Sequence, residues 1–119
     1  TVHQLISTIS CDLKLDVTFS GILKAAFPMG SMTGAPKINA MSLIERFESF
    51  KRGIYAGSVG FFDPSGNFDF NVVIRSILYN SKNQYLSFSV GSAITSQSIP
   101  ENEYEECLLK AKAMFEVLS

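Results

Sequence analysis

The segment at residues 27–37, FPMGSMTGAPK, constrains the fold of this chain more than any other. Gly30 and Gly34 can adopt positive φ and let a ligand approach the backbone, and Pro36 suits a first helical turn, where its missing N–H costs nothing. Apolar residues then recur at helical spacing, at Ile38, Met41, Ile44 and Phe47. Because a helix start presents free N–H groups and the positive end of the helix dipole, we predict an anion-binding loop followed by a helix to about residue 47.

A nucleotide-binding P-loop does not fit this segment. Its glycines are four residues apart, Pro36 precedes Lys37, and Ile38 stands where a magnesium-binding Ser or Thr is required. Taken alone, the segment also fits a glycine-rich helix cap with Lys37 in solvent.

Hydrophobic patterning and turn residues predict an α+β fold for the rest of the chain. Residues 2–11 are β-rich, and Asp16 is a candidate N-cap for a short helix before the loop. Three strands are predicted at 54–62, 68–79 and 84–90, with turn residues at 63–67 and 80–83, and a last helix at about 101–118 that Pro100 introduces. These connections are short enough to form hairpins, so we predict an antiparallel sheet with helices on one face.

Composition limits the classes of protein to which the chain can belong. A length of 119 residues, 46 % hydrophobic residues and a net charge of −1 are compatible with one soluble unit that buries a core of its own. Near-neutral charge argues against a nucleic-acid partner, no apolar run approaches the roughly 20 residues of a membrane span, and no signal peptide or lipidation motif begins the sequence. Cys11 and Cys107 have no CxxC spacing or histidine neighbour, so we expect buried free thiols and a cytoplasmic location.

The last helix carries acidic residues beside its apolar stripe. At about 100° per residue, Glu103, Glu106 and Lys110 share a face that borders the core. Two carboxylates at i, i+3 can reach one hard cation, and magnesium prefers a few carboxylates together with water and substrate oxygens. On spacing alone, a surface ion pair between Glu106 and Lys110 explains the pattern better than a metal site does.

Two polar residues lie within predicted strands. Arg75 is in a run at residues 72–78 that is apolar on both faces, where an unpaired guanidinium is costly. It therefore needs an anion, which an internal Asp or Glu or a bidentate substrate carboxylate can supply. His3 is the sole histidine, and it is either structural or a proton donor.

Five segments in order resemble the chorismate-utilising enzymes, the family of anthranilate synthase large subunits and aminodeoxychorismate synthase component I. They are VHQL with ST at residues 2–8, GSMTGAPK at 30–37, RGIYAG with VG at 52–60, IRS at 74–76, and EYEE with Lys110 at 103–110. Members of that family are several times longer, so the resemblance implies that residues 1–119 are the C-terminal portion of a chorismate-binding domain, inactive alone. Uncovered strand edges and apolar patches then predict that copies of the chain associate.

The resemblance also implies a set of site residues, with Mg²⁺ as cofactor. His3 matches a family histidine that can give a proton to the departing hydroxyl, although Gln4 replaces the next histidine. Glu103 and Glu106 match the magnesium ligands. The implied substrate contacts are Thr33, Tyr55, Arg75, Gly91 and Lys110. Gly91 opens a segment in which the family usually has further glycines, but Ser92 and Ala93 follow here.

The implied reaction is amination of chorismate to aminodeoxychorismate, with ammonia from a glutamine amidotransferase partner. Ser31, Met32 and Thr33 resemble the aminodeoxychorismate branch, whereas anthranilate synthases more often show a Thr-x-Ser pattern. Two alternatives stay open, an anthranilate synthase and a non-catalytic module that binds anions or other proteins.

Overall fold

A computed structural model describes residues 5–119, so the expectations for His3 and Gln4 lie outside the described residues. The helices and strands occur in the order α1 Phe19–Ala26, α2 Gly30–Thr33, α3 Lys37–Phe47, β1 Ser58–Phe62, β2 Phe68–Val72, β3 Ile77–Asn80, β4 Tyr85–Phe88 and α4 Pro100–Leu118. The predicted α+β class with antiparallel strands is confirmed.

A side chain caps the start of α1, whereas prolines mark the starts of α3 and α4 without a side-chain cap. Helix α1 begins after Thr18, whose Oγ1 accepts a hydrogen bond from the Gly21 N–H at 3.2 Å, so the predicted cap at Asp16 is wrong. Pro36 caps α3 with extended backbone angles, and its carbonyl accepts from Ala40 N–H at 3.0 Å. Pro100 is the first residue of α4, as the sequence predicted.

The strands form two hairpins, which are separate two-stranded sheets. Strand β1 pairs with β2 from Ser58 opposite Val72 to Phe62 opposite Phe68, and β3 pairs with β4 from Ile77 opposite Phe88 to Asn80 opposite Tyr85. Both predicted turns are present.

The predicted strand at 68–79 is interrupted between β2 and β3. Arg75 has φ of +51°, a left-handed conformation that cannot continue a strand. Residues 54–57 form a turn in place of the predicted strand start, and Gly57 N–H donates to the Ile54 carbonyl at 2.9 Å. Residues 5–11 are not in a strand, because their backbone finds no ladder partner among the described residues.

Aromatic rings hold one helix on each hairpin. Phe19 of α1 packs on three phenylalanines of the first hairpin, with ring centroids 4.1 to 5.6 Å away: Phe62, Phe68 and Phe70. Phe88 of β4 meets Phe115 of α4 at 5.2 Å. The second contact places the carboxyl-terminal half of α4 beside the end of β4.

The chain buries little apolar surface, so the expected self-sufficient core is wrong. Among the described residues, Ala56 and Val73 are the buried hydrophobic residues, at 8 % and 7 % exposure. The accessible surface is 10454 Å², whereas a compact protein of this mass exposes about 6,400 Å². The radius of gyration is 17.1 Å, against about 13.5 Å for a compact domain of this length.

Many large apolar side chains are therefore exposed, including Phe61 and Phe115 at 63 % and 61 %. Association between copies of the chain would cover such surface, and it stays a prediction. Sedimentation of the chain at a concentration of tens of micromolar tests it, because a monomeric profile would contradict the prediction. Cys11 is exposed and Cys107 half-buried, so the expectation of two buried thiols is wrong for Cys11. Within residues 5–119, no helix combines the length and the apolar character that crossing a membrane requires.

Candidate active site

Lys110 joins helix α4 to the segment that follows strand β4. Its Nζ donates to the Gly91 carbonyl at 2.9 Å and lies 2.5 Å from Glu106 Oε1. The i, i+4 ion pair considered from the sequence is thus present. It leaves one of the three ammonium hydrogens for another acceptor.

Glu103 lies one turn earlier on α4 and accepts a hydrogen bond from the Ser92 hydroxyl. This bond, a further one from Ser98 and the charge of Lys110 lower the pKa of Glu103. The carboxylate is therefore ionised at neutral pH. The sequence reasoning treated Ser92 only as a lost glycine, whereas the structure gives its hydroxyl a carboxylate partner.

Tyr55 and Gly91 come into direct contact although they are far apart in the sequence. A Cβ built on Gly91 would lie 2.8 Å from the Tyr55 hydroxyl oxygen, closer than real Cβ atoms come. Gly91 therefore leaves the space that the phenol occupies. We call this group of contacting residues the Gly91 cluster: Tyr55, Gly91, Ser92, Glu103, Glu106 and Lys110.

Two cavities, of about 350 and 230 Å³, lie beside Tyr55. Both are lined by Arg52 and Tyr55, and Thr33 lines the smaller one. The Thr33 hydroxyl donates to the Met29 carbonyl at 3.1 Å, which fixes its rotamer within the loop. Lys37 is half-buried and donates to the Ala25 carbonyl at 3.4 Å, so the alternative of a helix cap beside Lys37 stays open.

Arg75 does not have the buried setting that the apolar run predicted. It is exposed, at the left-handed residue between the two hairpins, and it makes no ion pair with the residues that the structure describes. The prediction failed because the interruption of the strand ends the alternation on which the burial argument depended. Its role as a carboxylate ligand stays a prediction.

Arg52 is a site residue that the sequence reasoning missed. Its Nε and Nη2 bind both oxygens of Glu48, at 2.8 and 2.5 Å, and its Nη1 donates to the Met32 carbonyl at 3.0 Å. The i, i+4 spacing of Glu48 and Arg52 was the available signal. The hydrogen bond and charge of Arg52 lower the pKa of Glu48, although partial burial opposes the shift.

This lowered pKa predicts a pH-dependent contribution to stability. Glu48 releases its proton more readily when folded, so the ion pair stabilises the protein above the ordinary pKa of 4.5 and is lost as the pH falls through the folded value. We expect Glu48→Gln to lower the free energy of unfolding at pH 7 by about 1 kcal/mol. Urea denaturation of the complete gene product at pH 7 and at acidic pH measures the difference, which should shrink in acid.

Glu45→Gln is the matched control for that substitution. Glu45 pairs with Lys51, but these side chains are 72 % and 82 % exposed, so the loss should stay within about 0.5 kcal/mol. Equal losses from the two variants, or a Glu48→Gln effect that does not change with pH, would contradict the prediction.

The donor chemistry of the Gly91 cluster fits a hard cation. Glu103 and Glu106 are carboxylates one turn apart on α4, and the lowered pKa of Glu103 keeps it available as an anion. No group of three or more metal-ligating side chains forms within residues 5–119. Two carboxylates do not fill the shell of such a cation, so one held by Glu103 and Glu106 would need water and substrate oxygens to complete it.

The amino-acid sequence of the chain is similar to those of several known proteins. The chain is 48 % identical over 118 residues to the "Probable aminodeoxychorismate synthase, chloroplastic" of Oryza sativa subsp. japonica, covering 99 % of this chain and 13 % of the relative. It is 42 % identical to the aminodeoxychorismate synthase of Streptomyces griseus, covering 99 % of this chain and 16 % of that protein. It is 38 % identical to anthranilate synthase component 1 of Aquifex aeolicus, and the match covers 98 % of this chain and 23 % of that protein.

The chain thus spans less than a quarter of the length of each of these relatives. Residues 1–116 match the family described as chorismate binding enzyme, which covers nearly the whole sequence and every segment of the Gly91 cluster. The resemblance seen in the five sequence segments is confirmed, and this chain belongs to the chorismate-binding enzyme family.

Proposed function

We propose that the complete polypeptide carrying this chain aminates chorismate to 4-amino-4-deoxychorismate, the step that leads to para-aminobenzoate and folate. The Gly91 cluster is the observation that carries the proposal, since it joins an ammonium, a phenol and two carboxylates in a chorismate-binding family. Relatives named aminodeoxychorismate synthase reach 48 % identity, and those named anthranilate synthase component 1 reach 38 %. The SMT triplet supports the same branch.

Chorismate is a dicarboxylate, and the cluster offers donors suited to it. Lys110 is held by Gly91 and Glu106 and keeps one N–H for a substrate oxygen. The Tyr55 hydroxyl lies against Gly91, so it can donate to the same carboxylate. Arg75 and Thr33 complete the proposed substrate contacts, with Arg75 reaching the ligand from the exposed turn between the hairpins.

The proposed chemistry divides between a proton donor and a cation. His3 gives a proton to the departing hydroxyl, which is ordinary general acid catalysis. Glu103 and Glu106 would hold Mg²⁺, which would neutralise a substrate carboxylate and help the hydroxyl protonated by His3 to leave as water. Ser92 orients the Glu103 carboxylate through its hydrogen bond.

Ammonia must reach the ring as the free base, because the ammonium ion has no lone pair with which to attack it. We propose that a glutamine amidotransferase domain or subunit supplies it. We also propose a reducing compartment, the cytoplasm, because Cys11 and Cys107 are both free.

Anthranilate synthase is the second candidate, which the 38 % identity to the Aquifex aeolicus protein favours. It aminates a different ring carbon and then eliminates pyruvate. Both candidate enzymes must bind chorismate through the same kinds of contact, so the Gly91 cluster does not distinguish one activity from the other.

Product identification tests the proposal. The complete gene product is given chorismate, Mg²⁺ and ammonium, and the products are identified by mass spectrometry, with the 119-residue chain run alongside. We expect aminodeoxychorismate from the complete gene product and no turnover by the 119-residue chain. Anthranilate would assign the tryptophan branch, and no consumption of chorismate by either sample would overturn the enzymatic proposal in favour of a non-catalytic module.

A further inference from the structure

Arg52 connects the end of helix α3 to the loop at residues 27–37, which we call the signature loop. Two of its nitrogens bind the two Glu48 oxygens, and the third, Nη1, binds the Met32 carbonyl at 3.0 Å. The side chains of Arg52 and Glu48 are 23 % and 29 % exposed. With all three nitrogens occupied by planar, partly buried partners, the guanidinium is held in one orientation.

The hydrogen bonds found within the signature loop all lie in its turn at residues 29–34, where Gly34 N–H also donates to the Gly30 carbonyl at 2.7 Å. Its helix α2 is four residues long, and no side chain caps its start. The Met29 carbonyl accepts from the backbone N–H of Met32 and Thr33 and from the Thr33 hydroxyl. Because so short a helix is marginal in isolation, its placement depends on bonds from outside the loop, and Arg52 supplies one to the residue before Thr33.

Arg52 also contacts the turn that carries Tyr55. Tyr55 N–H donates to the Arg52 carbonyl at 3.1 Å, and both residues line both cavities. The side chain of Arg52 thus fixes the loop that carries Thr33, while its backbone begins the turn that carries Tyr55. No other residue of the two cavity linings makes both connections within residues 5–119.

We infer that Arg52 is a positioning residue, which sets the distance between Thr33 and Tyr55 and so the fit of the substrate between them. Glu48 orients the guanidinium, and the hydrogen bond to Met32 transmits that orientation to the loop. This inference rests on the proposed function for the identity of the substrate, but the loop contact itself does not depend on it.

Substitution of Arg52 in the complete gene product tests the inference with two readouts. Lysine keeps a positive charge for Glu48, but a single ammonium cannot reproduce the planar fork that also reaches Met32. We expect Arg52→Lys and Arg52→Gln to raise KM for chorismate about tenfold, the loss typical of a hydrogen bond to a charged group, while kcat changes less than about threefold. Hydrogen exchange should accelerate about tenfold at the amides of residues 32–34.

Arg46→Gln is the matched control. Arg46 is an exposed arginine of α3 whose guanidinium lies 5.2 Å from the Phe47 ring, and it lines neither cavity. The Arg46→Gln substitution should leave the KM for chorismate and the hydrogen-exchange rates of residues 32–34 at their wild-type values.

Unchanged KM and unchanged exchange in Arg52→Lys would overturn the inference. So would an Arg52→Gln enzyme that loses folded protein but keeps the wild-type KM, because that result assigns Arg52 to stability alone. If the wild-type protein does not consume chorismate, the proposed function fails, and the exchange readout alone then supports or overturns the positioning role.

Discussion

Glu103→Gln is expected to lower kcat/KM for chorismate about 100-fold in the complete gene product, a loss typical of removing an electrostatic partner from an active site. Glutamine keeps the size of the side chain and an oxygen for the Ser92 hydroxyl, but it removes the negative charge. If Glu103 holds Mg²⁺ as we propose, the magnesium concentration for half-maximal activity should rise by at least about tenfold. Steady-state kinetics over a magnesium series measures both changes.

Glu105→Gln controls for a general change in helix charge. Glu105 lies on the same helix two residues later and is exposed, and it makes no ion pair with another described residue. It should keep kcat/KM within about twofold, as substitutions at exposed positions usually do. A Glu103→Gln enzyme with wild-type kcat/KM and magnesium dependence would remove Glu103 from the proposed metal site.

Gly60→Ala is expected to have the largest effect on stability, a loss of about 3 kcal/mol or more. Gly60 is opposite Phe70 in the first hairpin, and a Cβ there would lie 2.2 Å from the Asp69 carbonyl oxygen and 2.5 Å from the Phe70 ring. The ring cannot retreat freely, since it packs on Phe19 of helix α1. Urea denaturation of the complete gene product measures the loss.

Two comparisons separate this steric effect from the ordinary cost of replacing a glycine. Gly66 lies in the turn of the same hairpin, with φ of +88° and no atom within 4 Å of an added Cβ, so Gly66→Ala should cost only about 1 kcal/mol. Removing the ring with Phe70→Ala should not rescue Gly60→Ala, because the Asp69 carbonyl stays in place. Equal losses at the two glycines would contradict the steric explanation.

Sequence reasoning succeeded where the forces act within a few residues. Apolar spacing and Pro100 predicted helices α3 and α4, and turn residues at 63–67 and 80–83 predicted both hairpin connections. The family and its five segments could also be read from the order of short motifs, because each motif is contiguous. The pair Glu106 and Lys110 followed from spacing on one helix.

The errors arose where a residue's environment depends on distant parts of the chain. Arg75 was expected to be buried because 72–78 is apolar, but the backbone turns to positive φ there and exposes it. The wrong helix cap, by contrast, is a local error, because Asp16 and Thr18 are both capping residue types and the exact helix start decides which one accepts the Gly21 N–H. A core was expected from hydrophobic content, but 46 % apolar residues do not bury one another unless other elements cover them.

The sequence by itself determined the α+β class, helices α3 and α4, the hairpin turns and the family of this protein, since local spacing and contiguous motifs carry that information. Only the tertiary structure decided the contacts of the site: Lys110 with the Gly91 carbonyl, Tyr55 against Gly91, Ser92 with Glu103, and Arg52 with Met32. These partners are 11 to 36 residues apart in the sequence, and no local rule pairs them. They meet because ring packing places α4 beside the end of β4 and an ion pair directs Arg52 toward the signature loop.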